Sequence, residues 1–102
     1  MILVMGHMKF AAGEGAKAAS LLADHMGAVG SEDGCEHYSF AFDAADPDLV
    51  RIAERWVTPE ALAAHGQAPH QKEFGRALRA FPMEGVKVDA WDGTFWRNLI
   101  GG

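Results

Sequence analysis

The chain has one cysteine, Cys35, in 102 residues, so no disulfide can form within it. A lone thiol suits a reducing compartment, and a cytoplasmic location is the expectation. Basic residues are few: nine Lys and Arg stand against 14 Asp and Glu, a formal charge of −5. The nine are scattered, which argues against nucleic acid or an anionic membrane surface as the main partner. No apolar run approaches a membrane span. The opening MILVMGHMKF lacks a basic leader and a small-residue cleavage site, so no signal peptide is expected. Glycine-rich phosphate loops and dinucleotide fingerprints are missing. Also missing are repeats, linkers and low-complexity segments. What is there is ordinary for one globular domain over residues 1–102: 49% apolar and 23% charged residues, spread along the whole length.

The pattern along the chain predicts six elements. Ile2 to Phe10 is an apolar run that reads as a strand. Glu14 to Val29 is helical, with Ala18, Leu21, Leu22, His25, Met26 and Val29 on one face. Gly30 and Ser-Glu-Asp-Gly stop it. Cys35 to Asp43 alternates, with Tyr38, Phe40 and Phe42 on one side. Residues 44–48 form a turn, and Leu49 to Val57 is the partner strand of a hairpin. Thr58-Pro59 starts a short helix through a capping hydroxyl and a first-turn proline. Gly66 is expected to break that helix and Pro69 to restart it. His70, Phe74, Ala77, Leu78 and Phe81 then repeat at helical spacing until Pro82. Gly85 to Trp91 is a fourth strand, and the apolar tail from Thr94 to Ile100 is expected to dock.

Strand, helix, strand, strand, helix, strand is the order of a ferredoxin-like α+β sandwich, βαββαβ. Its helices cover one sheet face only. Apolar residues fall on both faces: Tyr38, Phe40 and Phe42 on one, Ala41, Leu49, Ala53 and Val57 on the other. The bare face therefore calls for a second copy of the chain, in a two-fold sheet-on-sheet homodimer.

Chemistry-bearing residues concentrate between Leu49 and Phe74. Glu54 and Trp56 are two residues apart, on one strand face. A buried mid-strand acid needs a partner, either a histidine or substrate hydroxyl, or an ion pair with Arg51, Arg55 or Arg76. Trp56 offers an aromatic wall or simple core. His65 and His70 are five residues apart. An imidazole titrates near neutrality and can take a phenolic proton, or it can bridge backbone groups at the helix break. His7 and His25 read first as satisfied, half-buried histidines. No metal site is expected, because three or four converging ligands are required and no close His pair or acid cluster supplies them. Cys35 reads as packing, since no base stands beside it.

Gly34-Cys35-x-x-Tyr38, Glu54-x-Trp56, Leu62-x-x-His65 and Pro69-His70-x-x-x-Phe74 together resemble the antibiotic biosynthesis monooxygenase family, above all its small quinol-monooxygenase branch. The resemblance covers nearly the whole chain. It implies a dimeric α/β barrel, with a pocket between sheet and helices in each protomer. It further implies oxidation of a quinol or hydroxylated aromatic by O2 with no cofactor, neither flavin nor metal. His65, Glu54 and Trp56 would be the catalytic set, and Tyr38, His70, Phe74, Arg76 and His7 the substrate contacts. Polyphenol-oxidising members place a Trp and an Arg where this chain has Trp56 and Arg76, but their strand Asn falls at Ile52. Haem-degrading members use an Asn near His7, a Trp where His65 stands and a His close to Gly75, so haem degradation is disfavoured. The other readings are a non-oxidative enzyme of the same fold, such as an isomerase of a small signal metabolite, and a dimer that binds small molecules without turnover.

Overall fold

A computed structural model describes all 102 residues. Four strands, β1 (Ile2–Phe10), β2 (Cys35–Asp43), β3 (Asp46–Trp56) and β4 (Met83–Asp92), form one antiparallel sheet in the order β2-β3-β1-β4. Three helices, α1 (Ala19–Gly30), α2 (Pro59–Gln67) and α3 (Pro69–Leu78), pack on one face. This is the expected ferredoxin-like α+β fold.

Alternation places the even-numbered residues of β1 and β3 under the helices. Ile2, Val4, Met8, Phe10, Val50, Ile52 and Trp56 are all buried there. One apolar cluster joins Met8, Phe10, Ala18, Leu22, Val50, Ile52 and Phe74. A second joins Ile2, Val4, Val29 and Trp56.

Several boundaries differ from the sequence reading. The first helix begins as a 3-10 turn, Ala16–Ala18, because the Asp48 carboxylate captures the Gly13 and Gly15 amides just before it. The hairpin is tighter than expected: pairing resumes at Asp46, and Asp43 accepts from the Ala45 amide across the turn. Gly66 does not break α2. The break is at Ala68, extended at ψ 138°, because the proline that follows disfavours helical geometry in the residue before it. Thr58 caps α2 as expected, its hydroxyl accepting from the Ala61 amide.

The uncovered face is more mixed than the sequence implied. Leu3, Met5 and Trp91 are exposed on it, yet they share it with Arg51, Arg55 and Lys87, whose partners are Asp43, Glu36 and Asp89. The tail does not dock on its own chain. Phe95, Trp96, Leu99 and Ile100 are all largely exposed after β4 delivers the chain at Gly93 to the rim of the sheet, and β4 itself stays exposed on both faces, Val86 and Val88 included.

Candidate functional site

Polar groups gather where α1, its following loop, β2, β3 and the two short helices meet. Period two on β3 puts Glu54 and Trp56 on the helical side of the sheet. The Trp56 ring is fully buried, and its Nε1–H donates to Glu54 Oε1 at 2.9 Å. No arginine pairs with Glu54: Arg51, Arg55 and Arg76 reach Asp43, Glu36 and Glu73 instead. Burial pushes the Glu54 carboxyl above its usual range, and the indole bond only partly offsets this.

His65, on the inner face of α2, is only 5% exposed. Its ring lies 4.9 Å from the Trp56 ring and 5.4 Å from Tyr38. Its Nδ1 meets both oxygens of Glu32, at 3.0 and 3.2 Å. His70, in the first turn of α3, reaches the same carboxylate through Nε2 at 2.7 Å. Burial opposes ionisation of Glu32, but these two hydrogen bonds outweigh it and hold the carboxyl below its usual range. His65 Nε2 and the Tyr38 hydroxyl make no hydrogen bond, and neither is sealed from solvent. Burial, with the charges of Glu54 and Glu32 behind it, pushes the Tyr38 phenol up, so it is a neutral donor at physiological pH.

Glu32 sits in the four-residue loop between α1 and β2. Gly34 makes its position possible. It adopts φ +79°, and a Cβ there would lie 2.6 Å from the Ala61 Cβ. The loop therefore lies directly on α2, and Glu32 reaches across to both histidines.

His25 joins the two apolar clusters. It stacks on Phe74 at 3.8 Å, stands 6.4 Å from His65, and bonds Gln71 Oε1 through Nε2 at 2.6 Å. Burial holds its pKa low, against the pull of that bond. A groove of about 260 Å³ between α1 and α3 exposes the outer edge of this group, with Leu21, Ala28, His25, His70 and Phe74 in its lining.

The structure thus brings together Glu54, Trp56, His65, Tyr38, His70 and Phe74. It does not bring Arg76 or His7. Arg76 is exposed and bonds Glu73 at 2.6 Å on the outside of α3, because it falls two residues, about 200° of helical turn, after the inward-facing Phe74. His7 is an odd-numbered residue of β1, so it lies on the uncovered sheet face beside Arg51 and Lys87. The sequence reading missed Glu32 and Gln71 and treated His25 as scaffold. Only Glu32 left a trace, as an acid in a Gly-terminated loop, and that pattern is common. No group of three or more His, Cys, Asp or Glu is arranged to hold a metal ion. Burial raises the Cys35 thiol, helped by Glu32 and Glu54, which suits packing.

The family model for antibiotic biosynthesis monooxygenase matches residues 1–77. The chain belongs to that family. A candidate antibiotic biosynthesis monooxygenase from Deinococcus radiodurans is similar over 99% of this chain and 100% of its own, at 26% identity and a TM-score of 0.90. One from Nitrosomonas europaea is 17% identical over 93% and 100% of the two chains, with a TM-score of 0.85. A Pseudomonas aeruginosa protein is 23% identical over 92% and 94%, with a TM-score of 0.81. These last two likenesses speak to fold alone. Comparison with curated proteins gives no match. No helix is long and apolar enough to cross a membrane.

Proposed function

We propose that this member of the family is a cofactor-independent monooxygenase that oxidises a quinol or hydroxylated aromatic with O2, acting as a homodimer. One observation carries the reading: a buried imidazole, with one nitrogen held by a carboxylate and the other unbonded, lies against an indole and a phenol ring. His65 Nε2 is the base that takes the phenolic proton. The anion formed is electron-rich and reduces O2 directly. One oxygen atom enters the ring and the other leaves as water. The quinol supplies all four electrons, which accounts for the product as a hydroxyquinone. Tyr38, partly exposed, offers its ring to the substrate, and the fully buried Trp56 backs His65 from inside the core. Glu54, whose carboxyl burial pushes above its usual range, is the group placed to bond a substrate hydroxyl.

The exposed Leu3, Met5 and Trp91 on the bare sheet face, with the apolar tail beside them, support pairing with a second copy. Arg51 and Arg55 lie on the central strand β3, so such a contact would enclose their ion pairs with Asp43 and Glu36.

The test is oxygen uptake with a panel of quinols and catechols. Consumption above buffer by the wild type, abolished by His65→Ala, is the expected result. Turnover unchanged without oxygen would reveal the non-oxidative enzyme. Thermal stabilisation by aromatics without product would reveal the binding protein.

A further inference from the structure

We propose that Glu32 is the positioning residue of this site: it selects the His65 tautomer that leaves Nε2 as the basic atom. The proposal rests on His65 being the base, as argued above. Glu32 is the single carboxylate in hydrogen-bond contact with His65, and its side chain is 15% exposed while that of His65 is 7% exposed. An ionised carboxylate only accepts hydrogen bonds. His65 Nδ1, at 3.0 Å, must therefore carry a hydrogen and donate it. Nε2 then holds the lone pair, and it is the nitrogen without a protein partner.

His70 completes the arrangement from the other helix. Its Nε2 donates to the same Oε2 at 2.7 Å, so the carboxylate stays charged although partly buried. When Nε2 of His65 takes the phenolic proton, the imidazolium forms beside a fixed anion. The proton moves from substrate oxygen to Nε2, and the hydrogen on Nδ1 stays in place. This is the logic of a carboxylate behind a catalytic histidine, built here from a loop and two helices. It also gives a reason for the Gly34 contact with α2, since any retreat of the loop would withdraw Glu32 from both rings.

The experiment pairs kinetics with a readout that needs no substrate. Long-range proton–nitrogen spectra of the imidazoles, taken above pH 8, report the His65 tautomer. Wild type is expected to show hydrogen on Nδ1. Glu32→Leu is expected to move it to Nε2, and to lower kcat about 100-fold or more with KM within a few-fold. Glu32→Gln keeps shape and an acceptor, so it should hold the tautomer and lose rate through the missing charge. Formate added to Glu32→Ala should restore part of kcat. A His65 tautomer unchanged in Glu32→Leu, or equal losses in kcat and affinity with no formate rescue, overturns the proposal. If wild type oxidises no quinol, the enzymatic reading fails, and the spectra still decide whether Glu32 sets the tautomer.

Discussion

Replacing Trp56 with phenylalanine separates the two jobs of the indole. The ring is fully buried in the second apolar cluster, and its Nε1–H is the one donor to the half-buried Glu54 carboxyl. Phenylalanine keeps most of the packing. Leaving a buried acceptor without its donor costs about 1–3 kcal/mol. The smaller ring removes about another 1–2 kcal/mol of buried apolar contact. The total is about 3 kcal/mol, a large share of the 5–15 kcal/mol typical of a domain. Urea denaturation at fixed protein concentration measures it. Part of the loss should depend on pH. The folded-state pKa of Glu54 is raised, so the folded state holds its proton more tightly than the unfolded chain, and stability falls as pH rises between the two values. Losing the indole donor widens that gap, so Trp56→Phe should be milder at pH 4 than at pH 7. Glu54→Gln supplies the control, because a neutral amide has no such titration. In that background Trp56→Phe should cost about 1 kcal/mol less, and its pH dependence should vanish. Equal costs in both backgrounds at both pH values would refute the coupling of Glu54 to the indole.

Glu32 works in the opposite direction. Its folded pKa is depressed, so its contribution is present above the unfolded pKa and is lost as pH falls through the folded one; Glu32→Gln should flatten the acid limb of a melting-temperature profile. Gly34→Ala forces a Cβ to within 2.6 Å of Ala61 at a positive φ, and thermal unfolding should show a loss of about 1–3 kcal/mol. Thr58→Ala removes the α2 cap and should cost about 1 kcal/mol in the same assay. Arg76→Ala breaks only an exposed pair with Glu73, and denaturant midpoints should register less than about 1 kcal/mol.

Strands and helix starts were legible because their causes are local. Alternation at Tyr38, Phe40 and Phe42, and the Thr58-Pro59 and Ala68-Pro69 signals, are written within a few residues. The same period put Glu54 and Trp56 on one face. Glu32 was illegible because its partners lie 33 and 38 residues away, and only the docked loop brings them near. Arg76 and His7 were misplaced relative to the cluster for a simpler reason: a family likeness names a position, while helix phase and strand parity decide which way it faces. The tail failed as a docking segment because its fate depends on what surface remains, a property of the whole molecule.

The two walls of the site differ in what fixes them. β3 is hydrogen-bonded on both flanks, to β1 and to β2, so inserting or deleting one residue within it would turn the acid and the indole toward the bare side and break two ladders together. That wall can be altered only by exchanging side chains. The short loop bearing the anion has no ladder to break, but Gly34 pressed on Ala61 and its carbonyl accepting from the Val57 amide fix its length, since any shift would draw Glu32 off both rings. A lineage adapting this scaffold to new ring sizes therefore keeps both backbones and works through the side chains they carry.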